Sequence, residues 1–139
     1  MKIFTLFVLL WFISISGFSQ HHELDPEAID HYKAECRQLV DFLEGTLNFL
    51  GDSAATVQEK EIVINQSFAK IFRDSEVQVE DDLDENRETL VNKDVQAYLK
   101  DVDFFFKSVR FQFDIQQIDQ LANQEGALYF KVRLIRKLD

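Results

Sequence analysis

The sequence predicts an α+β fold in which an N-terminal helical hairpin and a third helix pack on a curved antiparallel sheet. Three observations carry this. Residues 26–50 and 56–72 hold apolar residues at helical spacing and are separated by a short connection. Within residues 94–115, DVQAYLKDVDFFFKSVRFQFDI, the hydrophobic period changes from helical to two. Residues 128–135 alternate again after the turn-like segment Asn-Gln-Glu-Gly.

The first helix opens at Asp25-Pro26, where Asp is a favoured N-cap, Pro fits the first helical position and Glu27 complements the dipole. Its apolar stripe is Ile29, Tyr32, Cys36, Leu39, Val40, Leu43, Leu47 and Leu50. Gly45 interrupts the stripe at a cost of about 1 kcal/mol relative to Ala, so a break there is open. Gly51 is expected to stop the helix in the left-handed conformation. A second helix follows, with Thr56 and Glu59 at capping-box spacing. Ile64, Phe68, Ile71 and Phe72 make its inner face, with Val57 at the same phase upstream. The short connection implies an antiparallel hairpin.

Val77 and Val79 alternate with polar residues as a short strand, and Thr89-Leu90-Val91 reads as a second. Asn92 is placed to cap a third helix whose stripe is Val95, Leu99, Val102 and Phe106, widened by Tyr98 and Phe105. Five Phe lie between positions 104 and 113, so the junction from this helix into the next strand is expected in the core. That strand places Val109, Phe111, Phe113 and Ile115 on one face. Only three residues separate Ile115 from Ile118, so a bulge near Gln116-Gln117 is expected to restore the phase and curve the sheet. The returning strand puts Leu128, Phe130, Val132 and Leu134 on one face and Tyr129, Lys131, Arg133 and Ile135 on the other. Its outer edge is expected to lie open.

Residues 1–19 read as a secretory signal peptide: Lys2 gives a positive start, residues 3–15 are apolar but for one Thr and one Ser, and Gly17 and Ser19 precede a cut before Gln20. The apolar run is shorter than the roughly 20 residues a spanning helix needs. Residues 20–139 form one domain, exported to the periplasm or the exterior, with no membrane attachment after cleavage. Removing Lys2 with the leader leaves 14 basic residues against 25 acidic ones, a net charge of −11. Such a surface repels nucleic acid and anionic lipid and keeps the chain soluble. The single Cys36 excludes an internal disulfide and falls on a helix stripe, as an inert thiol.

Catalytic and metal motifs are missing from the pattern. No Ser motif has Gly on both sides, no phosphate-cradling Gly loop or His-Glu-x-x-His pair occurs, and no His follows His31. Read as a calcium loop from Asp82, the acidic run fails where Arg87 replaces the required Gly and Lys93 the required Glu, so it reads as a solvated turn. His22, third after the expected cut, has the spacing of an N-terminal Cu(II) or Ni(II) site, but a loose arm is the plainer reading. No metal or cofactor is therefore expected. If the chain is an enzyme or carrier, Tyr32, Tyr98 and Asp114 are the polar candidates for its pocket.

Two stretches, INQSFAKIFRDSEVQVEDDLDENR at residues 64–87 and NKDVQAYLKDVDFFF at residues 92–106, resemble an N-terminal module of larger exported bacterial proteins. The element order likewise looks like an NTF2-like (SnoaL-like) cone over residues 32–138. In that module a second domain follows, sometimes of formylglycine-generating-enzyme type. The resemblance implies a cone whose further strands are absent here, as in a truncated relative or a domain that pairs with something else. It names no chemistry, because such cones serve as isomerases, dehydratases and assembly modules alike. The favoured expectation is a non-catalytic binding or assembly module, whose partner is another protein, a missing C-terminal domain or a second copy. Phe130, Val132 and Leu134 form its partner-binding edge. The alternative is a small-molecule enzyme or carrier using the cone interior.

Overall fold

A computed structural model describes residues 24–81, 83, 86 and 88–139. The expected signal peptide, the His21-His22 arm and much of the acidic run lie outside the described residues. Over these residues the fold is α+β: three helices pack on two small antiparallel sheets, where the sequence implied one curved sheet.

Helix α1 (Pro26–Gly51) runs unbroken through Gly45. The Asp25 carboxylate accepts from the Ala28 N–H at 2.7 Å and caps its start. Gly51 is not a left-handed stop. It is the last, buried residue of the helix, and Asp52 beyond it is extended. A β-carbon at Gly51 would meet the Phe106 carbonyl oxygen at 2.8 Å, so glycine is needed for close approach.

Helix α2 (Val57–Asn65) begins with the expected capping box. Glu59 N–H donates to the Thr56 hydroxyl, and the Glu59 carboxylate accepts from the Thr56 N–H at 2.9 Å. The helix is shorter than its pattern suggested. It ends at Asn65, and a single 3-10 turn (Ser67–Lys70) follows, with Phe68 buried in the core. Val57 does not join that face but remains 75% exposed. Lys60, one turn further on, takes the buried position instead, its Nζ 2.9 Å from Asp103 Oδ1. The resulting hairpin is lopsided: α2 spans about 14 Å against about 39 Å for α1, and it touches α3 (Val95–Phe105) as well as α1.

Strand β1 (Gln78–Glu80) pairs with β2 (Asn92–Asp94), three residues later than the expected strand at Thr89. Charge explains the displacement. Lys93 Nζ lies 2.7 Å from Asp81 Oδ2 and also bonds the Asp101 carboxylate, which fixes the pairing, while Leu90 is left exposed. Asn92 therefore lies in the sheet and does not cap α3. Asp94 occupies the cap position, and its carboxylate accepts from the Gln78 side chain.

Val95, Leu99 and Val102 of α3 are fully buried with Leu47, Leu50, Ile64, Phe68, Tyr98 and Phe111. Phe106 and Phe113 pack against this cluster, and the Phe106 and Phe111 ring centroids are 5.7 Å apart. The junction is thus in the core, but not all of its aromatics are. Phe104 and Phe105 stay 72% and 66% exposed. Phe104 lies opposite the Val95 stripe and Phe105 about 80° off it at the last turn, where the two rings meet edge to face, centroids 4.9 Å apart. The chain turns through Ser108, at φ 67, into β3 (Phe111–Ala122) and β4 (Leu128–Leu138), a two-stranded ribbon. The register shift between Ile115 and Gln117 is the expected bulge, and it keeps Ile115 and Ile118 on one face. Asn123 and Gly126, at φ 82, shape the hairpin loop.

Candidate functional site

The ribbon has two long edges, and the chain treats them differently. Arg110 and Asp139 exchange both backbone hydrogen bonds, at 2.9 and 3.0 Å, and Asn123 N–H donates to the Ala127 carbonyl. These fix the ladder's alternation on either side of the bulge. Odd-numbered residues of β4 bond inward to β3. Even-numbered residues, Val132 and Leu134 among them, direct their N–H and C=O groups away from the ribbon. On β3 the outward groups near the start belong to Phe111 and Phe113.

Helix α1 seals that β3 edge. Asn48 Oδ1 accepts from the Phe111 N–H at 2.7 Å, and Asn48 Nδ2 donates to the Phe111 carbonyl at 2.9 Å. One turn back, Glu44 Oε2 accepts from the Phe113 N–H at 2.7 Å. A helical i, i+4 pair thus imitates a neighbouring strand over three backbone groups. These two residues escaped the sequence reading. Each borders the Leu43–Leu47 stripe, and a polar residue there looks like any solvated position. Further along, Tyr32 of α1 reaches Phe130 of β4, ring centroids 5.7 Å apart. The helix therefore runs beside the ribbon in the opposite sense to β3.

Among the described residues β4 has β3 as its sole strand neighbour. Phe130, Val132 and Leu134 share a half-buried face with Ile115 and Ile118 opposite. The other face alternates as expected and carries Tyr129, Lys131, Arg133, Ile135 and Lys137. Lys131 stands opposite Asp119 and Arg133 opposite Gln117. Lys137 bonds the Asp114 carboxylate, and that bond raises its pKa above the ordinary lysine range.

Tyr32, Tyr98 and Asp114 occupy three environments. Tyr32 is exposed between His31 and Phe130, Tyr98 is buried in the core cluster, and Asp114 is engaged on the outer face of the ribbon. One cleft, about 540 Å³, is open and lined by Glu35, Gln38, Leu39, Phe42 and Lys70, on the face of α1 turned away from the ribbon. A second, about 280 Å³, joins Val57, Lys60, Asp103, Phe104 and Lys107. Neither includes any of the three candidates. Cys36 is partly buried, and desolvation pushes its thiol pKa up, away from the reactive thiolate. Among the described residues no three His, Cys, Asp or Glu side chains gather as a metal cage, and no helix is long and apolar enough to cross a membrane.

Comparison of the chain with protein-family models, curated proteins and solved structures finds no match.

Proposed function

We propose that the protein is a non-catalytic, exported binding or assembly module that accepts an extended segment of another chain along β4. One observation carries the reading: Asn48 and Glu44 cap the start of β3, whereas among the described residues no strand lies beside Val132 and Leu134, whose backbone groups point outward from β4. An edge of an eleven-residue strand with no strand neighbour but β3 among the described residues is a template for strand addition. Main-chain bonds supply affinity in this mode, and side chains flanking the edge supply selectivity. The leader-like residues 1–19 support export. The NTF2-like resemblance points the same way, because in a complete cone further strands continue the sheet.

The test is binding of an array of extended peptides by the full chain and by Val132→Pro. The proline removes an outward N–H that serves no bond inside the ribbon. Peptide retention by the wild type and its loss in the variant, at equal melting temperature, is expected. Equal retention by both proteins, or none by the wild type, would overturn the reading. The pocket alternative has no comparable support, since Tyr32, Tyr98 and Asp114 do not share one cleft among those described.

A further inference from the structure

Resting on the reading of β4 as a docking edge, we infer that its occupant is an acidic segment of another protein, with acidic and apolar residues in alternation, and not a second copy of this chain. The whole sequence has a formal net charge of −10, yet residues 127–138 contain Lys131, Arg133, Arg136 and Lys137 and not one of the 25 acidic residues. The strand at the open edge is therefore a basic strip on an acidic protein.

Three of those cations share the ribbon's solvent face, and β3 answers them with only two carboxylates. Asp114 is bonded to Lys137, and Asp119 stands opposite Lys131. Arg133 meets a neutral amide, with its Nη1 3.4 Å from Gln117 Oε1. A strand added to β4 would set its side chains about 4.5–5.5 Å from those of Lys131 and Arg133. At that separation opposite charges stabilise the pair and like charges oppose it. On the other face the added side chains would continue the row of Phe130, Val132 and Leu134, where apolar residues extend the surface that α1 partly covers. The two faces together ask for Asp or Glu at every second position and an apolar residue between.

A second copy does not meet this demand. Outward groups on β4 belong to even-numbered residues, so two copies can pair antiparallel only with even opposite even and odd opposite odd. Every such register that overlaps more than half the strand sets cations face to face. The pairs are Lys131 with itself, Lys131 with Arg133, Arg133 with itself, Lys131 with Lys137, or Arg133 with Lys137. The molecule's overall negative field does not forbid an acidic partner, since it is screened over about 8 Å at physiological ionic strength. It slows encounter, while contact pairs at the edge hold the complex.

The probes are capped decapeptides of alternating Glu and Val and of alternating Lys and Val, titrated against the full chain, with sedimentation of the chain alone. The Glu-Val peptide is expected to bind about tenfold or more tightly than its Lys-Val counterpart. The chain alone should remain monomeric. Lys131→Gln with Arg133→Gln, at unchanged melting temperature, should remove most of the preference but leave residual main-chain binding that Val132→Pro abolishes. Equal binding of both peptides, or a dimer dispersed by Val132→Pro, would refute the acidic partner while leaving the docking edge in place. Binding of neither peptide, with no self-association, would overturn both readings and leave the cations as a guard against strand pairing.

Discussion

At Gly51 a β-carbon would lie 2.8 Å from the carbonyl oxygen of Phe106 and 3.2 Å from that of Val109. Both are backbone atoms, and the Gly51 carbonyl accepts from the Ser108 N–H at 2.9 Å, so the end of α1 and the turn into β3 are locked together. Gly51→Ala is therefore expected to cost about 1–3 kcal/mol of stability. Gly45→Ala, where nothing lies within 4 Å, should gain about 0.5–1 kcal/mol. Urea unfolding of the two variants checks the contrast, and equal effects would show that the close approach is not needed. A stop glycine and a contact glycine look the same in sequence, which is why Gly51 was read as the former. Asn48 was illegible for a related reason. Its partner is the backbone of Phe111, 63 positions away, and a backbone has no sequence signature.

At the level of elements, α2 is held to α3 by a lysine. The Lys60 side chain is 8% exposed, and its ammonium meets Asp103, whose side chain is 36% exposed. Removing the acid leaves a buried charge with a poorer partner, whereas replacing the lysine by an apolar residue of similar length removes the demand for one. Asp103→Ala is expected to cost about 1–3 kcal/mol, and Lys60→Met to stay within about 1 kcal/mol of the wild type. Thermal unfolding decides it, and a larger loss in Lys60→Met would mean that the ion pair itself stabilises the contact. Elements with local causes were legible: the Asp25 cap, the Thr56–Glu59 box, the α3 stripe, the bulge after Ile115 and the alternation in β4. Those set by distant partners were not. Lys93 drew β2 three residues downstream through Asp81 and Asp101, and α2 stopped at Asn65 where the 3-10 turn began.

For the whole molecule, the pH dependence of stability follows from groups at its two ends of titration. Glu59 is held below the ordinary carboxylate range by its bonds from the Thr56 N–H and hydroxyl, and Asp74 by its bond from Arg73. Their contribution is present above the unfolded-state pKa and is lost as pH falls through the folded one. Lys93, bonded to Asp101 and Asp81, and Lys137, bonded to Asp114, are raised above the lysine range. Their contribution is complete below the unfolded-state pKa and is lost as pH rises through the folded one. Melting temperature is thus expected to hold a plateau near neutrality and to fall on both flanks, with the alkaline fall reduced in Lys137→Met. An alkaline limb unchanged by that substitution would exclude Lys137 from it. The asymmetry between the ribbon's edges is the other property of the whole molecule, since it needs α1, β3 and β4 together. Amide hydrogen exchange of the free chain, read residue by residue, tests it most directly. Slow exchange is expected at Phe111 and Phe113, sealed by Asn48 and Glu44, with Val132 and Leu134 exchanging far faster than the adjacent Lys131 and Arg133. Equal protection along β4, or rapid exchange at Phe111 and Phe113, would contradict an edge left free for a partner.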